Sequence, residues 1–282
     1  MKKKIALIAG GDSGEYPISI KSASMVLKEI DKAKYEVFLI EIKAASWIYN
    51  HPEIGAIEIN KNNFSLSIDG SEITFDLIFN LIHGSPGENG KLQGYFDMLK
   101  IPYTTSNAVT SALTFNKAYC NHIVRAYDVN VAKNIHLFKN RPIDLKSILH
   151  TISLPAFVKP NQGGSSVGMS KVIVAEEMEP AIEKAFAEDN EILIEEYIKG
   201  RELTCGVFEY NDEIIRLPLT EIISKKDFFD YEAKYNQTMA DEITPAKISD
   251  ENSKEIQDTS AKLYHLLNCK GLVRFDFIMS ED

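Results

Sequence analysis

A segment rich in glycine and serine, "KPNQGGSSVGMSK", has the residue types of a phosphate-binding loop. Glycines let the backbone approach phosphate oxygens closely and turn its N–H groups toward them. Ser165 and Ser166 add hydroxyl donors, and Lys159 supplies a positive charge at the end of the preceding apolar run. The apolar runs on either side, 154–160 and 169–175, predict two strands. The segment is therefore predicted to be a flexible hairpin flap, with a plain glycine-serine turn as the alternative.

A second pair of chemically useful residues lies in "GLVRFDFIM", which alternates like a β-strand. Val273, Phe275 and Phe277 share one face of this strand and are predicted to belong to the core. Arg274 and Asp276 share the opposite face. They fit two interpretations: a structural ion pair, or an aspartate that binds Mg²⁺ beside an arginine that stabilises developing negative charge.

The first apolar run, 5–9, is followed by the glycine turn "GGDSGE". Ligands of an open α/β sheet bind beyond the carboxyl ends of the strands, so this turn is a candidate site. It does not match the G-x-G-x-x-G fingerprint, which disfavours an NAD-dependent enzyme. Glu15 stands at the start of the predicted helix, where it either complements the helix dipole or receives a ligand ammonium group.

The segment "HGSPGENGK" superficially resembles a P-loop. The match fails because Asn89 and Leu92 occupy the positions that require glycine and Ser or Thr. His83 and Glu88 are still candidates to line a cleft. The alternatives are a loop histidine with satisfied hydrogen bonds and a glutamate that caps a helix.

The composition is that of an ordinary globular protein, with 282 residues, 44% apolar, 26% charged and a net charge of −10. An acidic chain lacks the positive charge of a general nucleic-acid-binding protein. Three widely spaced cysteines argue against a disulfide framework and a cysteine zinc site. The first apolar run is too short for a signal peptide, and no run approaches the ~20 apolar residues of a membrane span. We therefore expect a cytoplasmic protein with no nucleic-acid or membrane partner.

Apolar periodicity predicts alternating strands and helices in the first third of the chain, which is typical of an open parallel α/β sheet. The predicted strands are 5–9, 35–42, 75–84, 154–160, 169–175, 191–198, 202–209, 213–222 and the final run "GLVRFDFIM". The predicted helices include those around 109–117, 180–187 and 250–267. Ser249 is the predicted N-cap of the last of these helices.

Seven segments, taken together in their order along the chain, resemble the D-alanine–D-alanine ligases of the ATP-grasp superfamily. They are "GGDSGEYPIS", "LIHGSPGENGKLQG", "IPYTTSNAVTSALTFNK", "VKPNQGGSSVGMSKV", "LIEEYIKGRELT", "FFDYEAKYNQT" and "CKGLVRFDFIM". The resemblance implies an α/β fold in which an N-terminal open parallel α/β sheet (1–105) precedes a two-subdomain ATP-grasp fold of α+β type. The subdomains are expected over 106–200 and 201–282.

The resemblance implies an enzyme, a carbon–nitrogen ligase. In this family ATP phosphorylates the carboxylate of one D-alanine, and the amine of a second D-alanine attacks the acyl phosphate. The products are D-alanyl-D-alanine for peptidoglycan synthesis, ADP and phosphate. The resemblance also implies Mg²⁺, with Mn²⁺ as an alternative, and a homodimer.

Site residues follow from the resemblance, position by position. Glu15, Ser165 and Tyr235 are expected to orient the first D-alanine, with Glu15 facing its ammonium and His83 near its carboxylate. Arg274 is expected to stabilise the tetrahedral intermediate. The ATP phosphates are expected to be bound by Lys117, Lys159 and Lys234. Adenine and ribose are expected to be surrounded by Glu195, Glu196, Ile198 and Glu202. Asp276 is expected to bind the metal ion.

Tyr235 bears on the acceptor, because similar enzymes that make D-alanyl-D-lactate carry Phe at that position. A tyrosine favours an amine acceptor, and D-serine and D-lactate are alternative acceptors. The sequence stops at Asp282, where the resemblance implies a further strand with Glu-x-Asn, a Pro-Gly-Met turn and a helix. We therefore expect the ATP-grasp part to be truncated and poorly active by itself, with a catalytically incomplete nucleotide- or amino-acid-binding fragment as the alternative function.

Overall fold

The computed structural model of the chain describes residues 2–224 and 240–280. The chain forms two compact units, Met1–Ala112 and Leu113–Asp282. The predicted boundaries at residues 105 and 200 stay predictions. Among the residues that the structure describes, none of the helices combines the length and the apolar character needed to cross a membrane.

The first unit begins with a strand–helix–strand arrangement, continues through five short strands and ends in helices. Its elements are β1 (Lys3–Gly10), α1 (Tyr16–Glu29), β2 (Tyr35–Lys43), β3 (Ser46–His51), β4 (Gly55–Glu58), β5 (Leu66–Ile68), β6 (Ser71–Ile73), β7 (Leu77–Asn80), α2 (Lys91–Leu99) and α3 (Ala108–Phe115), which runs into the second unit.

Three strands of the first sheet, β2, β1 and β7, are parallel, as the alternating pattern predicts. β1 lies between β2 and β7, and every residue of β1 from Ile5 onward is buried. At the β2 edge the sheet continues through β3 and β4, which pair antiparallel and were not predicted. Short turns join these strands, and short turns can connect only antiparallel neighbours.

The strand predicted over 75–84 is wrong in its bounds, because β7 covers only Leu77–Asn80. The side chain of Asn80 ends the strand: its Nδ2 donates to the carbonyl of Gly87 at 2.8 Å, and its Oδ1 accepts from the N–H of Ile82 at 3.0 Å. The chain after Asn80 therefore leaves the sheet and forms a loop at the carboxyl end of β7.

The second unit is richer in antiparallel strands. Its elements are α4 (Lys117–Ala126), β8 (Asn134–Phe138), α5 (Leu145–Thr151), β9 (Ala156–Pro160), β10 (Ser170–Val172), a 3₁₀ turn (Ala175–Glu177), α6 (Met178–Glu188), β11 (Glu191–Glu196), β12 (Gly200–Tyr210), β13 (Glu213–Arg216), β14 (Thr220–Ser224), β15 (Ala240–Ile243), α7 (Asp250–Leu266) and β16 (Val273–Ser280).

Two sheets form the second unit. The first has the strand order β10-β9-β11-β8, and its apolar face packs against α5 and α6. In the second, β12 pairs with β13 and β14 along one edge and with β16 along the other, and β14 pairs with β15. The apolar face of this second sheet packs against α7.

Two predicted elements are each divided in the structure. The helix around 109–117 ends at Phe115, because Asn116 caps a new helix by accepting the N–H of Tyr119 at 3.0 Å. The strand over 213–222 is two strands, β13 and β14, separated by 217–219. The N-cap of α7 is confirmed, since the Oγ of Ser249 accepts the N–H of Asn252 at 3.2 Å.

Candidate functional site

Two glycines turn the chain sharply at the carboxyl end of β1. Gly10 and Gly11 have φ angles of 107° and 100°, in the region that favours glycine. A Cβ on Gly10 would lie 2.5 Å from the carbonyl oxygen of Ile42. The N–H of Gly10 donates to the Oγ of Ser19 at 2.8 Å, and this hydroxyl donates to the carbonyl of Leu81 at 2.7 Å. The turn is thereby joined to α1 and to the loop after β7.

Glu15 lies at the N-cap of α1, as predicted. Its side chain makes no capping hydrogen bond, so helix capping does not account for the carboxylate. Its Oε2 lies 3.8 Å from the position that a Cβ on Gly84 would occupy. The carboxylate therefore lies between the loops at the carboxyl ends of β1 and β7, where ligands of open α/β sheets bind.

His83 lies in the neighbouring loop, and the structure brings it close to the glycine turn. The carbonyl of His83 accepts a hydrogen bond from the Oγ of Ser13 at 2.8 Å. Within the same loop, the N–H of Gly84 donates to the Oε2 of Glu88 at 2.6 Å. Glu88 thus closes its own loop through Gly84, while Glu15 and His83 lie on adjacent loops.

The glycine-serine segment of the second unit is a hairpin loop, because β9 and β10 pair antiparallel. This confirms the predicted strand–loop–strand arrangement. Ser165 and Ser166 both have positive φ angles, 53° and 59°, and Ser165 is buried. The Nζ of Lys117, the first residue of α4, donates to the carbonyl of Gly163 at 2.8 Å. The Lys117 ammonium therefore lies against the flap.

Asn161 joins the base of the flap to α4 and was not predicted. It is fully buried; its Oδ1 accepts the N–H of Ala118 at 2.9 Å, and its carbonyl accepts the N–H of Lys117 at 3.1 Å. Its Nδ2 donates to the Oε2 of Glu191 at 3.1 Å. The available signal was a polar residue directly after the buried strand "AFVKP".

Lys159 and Glu195 form an ion pair across β9 and β11. The Nδ2 of Asn121 donates to the Oε1 of Glu195 at 2.8 Å. Because side chains alternate along a strand, both residues lie on the sheet face opposite the one that packs against α5 and α6. Two residues of the predicted ATP set are therefore in direct contact.

The residues predicted to surround adenine and ribose have different surroundings. The Oε1 of Glu196 accepts the N–H of Lys133 at 2.7 Å, so this carboxylate already stabilises the local backbone. Ile198 is half-buried in the connection between β11 and β12. Glu202 lies on β12, opposite Ile278 of β16. Glu195 and Glu196 are consecutive strand residues and so point to opposite faces.

Arg274 and Asp276 form a two-bond ion pair on the exposed face of β16. The Nε and Nη2 of Arg274 donate to the two carboxylate oxygens of Asp276 at 2.8 and 3.0 Å. This hydrogen bonding raises the pKa of Arg274; burial opposes the rise, and the negative charges of Asp276, Glu202 and Glu242 add to it. The alternate residues of β16 pack into the core, as predicted. The ion pair is therefore present, within a wider group of carboxylates.

Lys234 and Tyr235 lie outside the described residues. The flanking strands are described, with Ser224 of β14 opposite Ala240 of β15. Glu242, two residues into β15, is a member of the carboxylate group that the sequence analysis missed. β15 lies in an irregular polar stretch of the sequence that has no apolar alternation, so no strand was predicted there.

Comparison with known proteins gives matches along the whole chain. The family model described as "D-ala D-ala ligase N-terminus" matches residues 4–106, and the one described as "D-ala D-ala ligase C-terminus" matches residues 123–282. The D-alanine--D-alanine ligase of Parabacteroides distasonis is 45% identical over 282 residues, which are 100% of this chain and 85% of that protein. That of Phocaeicola vulgatus is 42% identical over 281 residues, 100% and 86% of the two chains.

A solved structure agrees with the sequence matches. The VanG D-Ala:D-Ser ligase from Enterococcus faecalis has a TM-score of 0.87 and 31% identity, covering 100% of this chain and 87% of that one. The fold, an α/β unit followed by two antiparallel sheets, is shared with these ligases. The chain belongs to the D-alanine–D-alanine ligase family.

Proposed function

We propose that the chain is an ATP-dependent carbon–nitrogen ligase that makes D-alanyl-D-alanine for peptidoglycan synthesis. The observation that carries this proposal is the similarity to relatives named D-alanine--D-alanine ligase, 45% and 42% identical over the whole chain. A carboxylate oxygen of the first D-alanine attacks the γ-phosphorus of ATP, and ADP leaves. The amine of the second D-alanine then attacks the acyl carbon; phosphate leaves with that carboxylate oxygen, and the nitrogen loses a proton.

Two residues of the first unit are assigned to the first D-alanine. Glu15 receives the ammonium group, and His83 lies near the carboxylate. Their positions on adjacent loops, at the carboxyl ends of parallel strands, support these roles. Ser165 and Tyr235 complete the orienting set, as the family resemblance implies.

ATP binds in the second unit. Lys117, Lys159 and Lys234 offset the phosphate charge, which phosphoryl transfer requires. The contact of Lys117 with the flap at Gly163 and the position of Lys159 next to Glu195 support this assignment. The flap closes over the acyl phosphate and excludes water, which would hydrolyse it.

Adenine and ribose contact the connection after β11 and the start of β12. The proposed residues are Glu195, Glu196, Ile198 and Glu202.

Asp276 is the proposed metal ligand. Within 2–224 and 240–280, no group of three or more His, Cys, Asp or Glu side chains could hold a metal ion. A single exposed carboxylate still fits Mg²⁺, which commonly takes one or two carboxylates together with substrate phosphates and water. When bound, Mg²⁺ or Mn²⁺ supplies positive charge that offsets the triphosphate. Arg274 stabilises the negative charge of the tetrahedral intermediate.

ADP release tests the proposed activity. The protein is supplied with ATP, Mg²⁺ and either D-alanine or L-alanine, and the dipeptide is quantified by mass spectrometry. We expect ADP release that requires D-alanine, with one dipeptide formed per ADP. Equal release with L-alanine, or Mg-ATP binding without any product, would contradict the proposal; the second result fits a binding module that does not catalyse.

D-serine is the second candidate acceptor, because a structure titled D-Ala:D-Ser ligase is 31% identical over the whole chain. D-Lactate is disfavoured by Tyr235. Competition among D-alanine, D-serine and D-lactate at equal concentration identifies the acceptor. Preference for D-lactate would overturn the argument from Tyr235.

We also propose a cytoplasmic homodimer whose partners are small molecules. The net charge of −10 supports the proposal that nucleic acid is not a partner. Light scattering coupled to size-exclusion chromatography tests the dimer: a mass near twice 31.7 kDa is expected for these 282 residues, and a concentration-independent mass near 31.7 kDa contradicts it.

A further inference from the structure

We propose that Ser13 is a positioning residue that sets the placement of Glu15 relative to His83. This inference rests on the proposed function, since it concerns the site of the first D-alanine. One hydroxyl group connects the two loops: the Oγ of Ser13 accepts the N–H of Glu15 at 3.2 Å and donates to the carbonyl of His83 at 2.8 Å. Both candidate substrate-binding residues are thus bonded to the same atom.

Ser13 also closes the turn that leads into α1. A serine hydroxyl that accepts the N–H two residues later replaces a backbone bond in such turns. Because Ser13 makes this bond and the Glu15 side chain makes no capping bond, the carboxylate of Glu15 is not used to close the helix start. The backbone position of Glu15 is therefore set by Ser13.

Gly84 provides a second, independent observation at the same contact. It has a φ angle of 73°, and a Cβ built on it would lie 2.8 Å from the Cβ and 2.9 Å from the Oγ of Ser13. The same Cβ would lie 3.8 Å from the Oε2 of Glu15. Any side chain at residue 84 would push the two loops apart at Ser13.

The chemistry of the ligand explains why the distance between the Glu15 loop and the His83 loop matters. D-Alanine carries its ammonium and carboxylate groups on the same carbon, so the groups that bind them need a fixed separation. Displacing a binding group by about 1 Å can cost up to ~100-fold in rate. The Ser13 hydroxyl and the absent side chain of Gly84 together fix the spacing of the two loops.

The central test is the steady-state kinetics of Ser13→Ala, measured with the intact ligase. Loss of both hydrogen bonds should raise the KM for D-alanine roughly three- to tenfold, with the KM for ATP unchanged. Ser13→Thr keeps the hydroxyl and should restore most of the D-alanine affinity. Ser24→Ala is the matched control, because the Oγ of Ser24 bonds only within α1, to the carbonyl of Ile20 at 3.0 Å; its KM values should equal those of the wild type.

Gly84→Ala tests the contact from the other loop. The added methyl group displaces Ser13 while the hydroxyl remains, so we expect a KM for D-alanine raised at least as much as in Ser13→Ala. If Ser13→Ala shows no cooperative thermal transition and is therefore not folded, Ser13→Cys replaces it in the comparison. The cysteine weakens both hydrogen bonds but keeps the side-chain volume.

Three results would overturn the proposal for Ser13. The first is an unchanged KM for D-alanine in Ser13→Ala or its Cys replacement. The second is an equal rise of both KM values, which indicates general destabilisation. The third is a Ser13→Thr variant as impaired as Ser13→Ala. If the wild-type protein forms no dipeptide, the proposed function fails. The role of Ser13 is then decided by measuring D-alanine binding to the wild type and the variants by calorimetry. If neither the wild type nor the variants bind D-alanine, the role of Ser13 is overturned as well.

Discussion

At the scale of single residues, Arg274 and Asp276 form an ion pair, and we propose a role in the reaction for each of them. The guanidinium makes two charge-assisted hydrogen bonds to Asp276 and lies in the field of Glu202 and Glu242. An arginine whose pKa is raised in this way stays protonated wherever the protein is folded. Its positive charge is therefore always present for a developing oxyanion.

Replacing Arg274 with alanine should lower turnover far more than nucleotide affinity. Preorganised donors of this kind contribute about 10²-fold or more to kcat, whereas we propose that the lysines carry ground-state ATP binding. We expect kcat to fall about 100-fold and the calorimetric Kd of a non-hydrolysable ATP analogue to change less than about threefold. Arg216→Ala, which removes an exposed arginine paired with Asp258, is the control. A loss of nucleotide binding with unchanged kcat would show that the role assigned to Arg274 is wrong.

Strand alternation was enough to predict the shared face of Arg274 and Asp276, since both lie within one short run of sequence. The same reasoning could not find Asn161. Its partners are Ala118 and Glu191, residues far away in the sequence that only the folded chain brings together. Polar residues buried by such long-range contacts leave little local signal.

At the scale of elements, the glycine turn after β1 is held by backbone geometry. Gly10→Ala should lower the free energy of unfolding of the first unit by about 2 kcal/mol, because the residue has a positive φ and its Cβ would meet the carbonyl of Ile42 at 2.5 Å. Gly14→Ala is the matched control, since no atom of residues 2–224 and 240–280 lies within 4 Å of its added Cβ. Urea unfolding followed by the fluorescence of Trp47, the single tryptophan, reports on this unit. Equal midpoints and slopes for Gly10→Ala and wild type would contradict the argument.

Arg201 of β12 binds Glu221 of β14 through two hydrogen bonds of 2.6 Å each, and we expect the stability that this ion pair contributes to depend on the pH. The hydrogen bond from Arg201 lowers the pKa of Glu221 below its ordinary 4.5, although burial opposes the shift. A folded-state pKa below the unfolded value adds stability above pH ~4.5, and this stability is lost as the pH falls through the lowered value.

Glu221→Gln should therefore destabilise the second unit at pH 7 by about 1–2 kcal/mol, and by progressively less toward pH 3. Scanning calorimetry at both pH values measures the difference. Asp258→Asn breaks an exposed pair with Arg216 and should have little effect at either pH. A deficit in Glu221→Gln that is the same at pH 7 and pH 3 would contradict the role of its charge.

Elements with strong apolar periodicity could be predicted from sequence, and elements defined by single polar residues could not. β1 is a continuous buried apolar run and α7 has a periodic core face; both have clear boundaries, and both were predicted. The break between α3 and α4 depends on one side-chain bond of Asn116, inside a pattern that otherwise continues as a helix. β3 and β4 are short, largely exposed strands with no strict alternation, which explains why they were missed.

At the scale of the whole molecule, the proposed reaction divides between the two units. The first unit carries Glu15 and His83, the groups proposed for the amino acid. The second carries the flap, the lysines and the β16 ion pair, proposed for ATP and the acyl intermediate. The order of these segments along the chain could be predicted from sequence, because each motif is continuous. Within the first unit, the spacing of the Glu15 and His83 loops could not be predicted from sequence, because it involves the Ser13 hydroxyl, which hydrogen-bonds to both residues.

The most direct test of the central claim is isotope transfer. D-Alanine labelled with ¹⁸O in both carboxylate oxygens is supplied with ATP, and the released phosphate is analysed by mass spectrometry. An acyl-phosphate route requires that one carboxylate oxygen leave with the phosphate, so one ¹⁸O atom should appear in each phosphate released, together with one D-alanyl-D-alanine. Phosphate that carries no ¹⁸O while dipeptide accumulates would contradict the account.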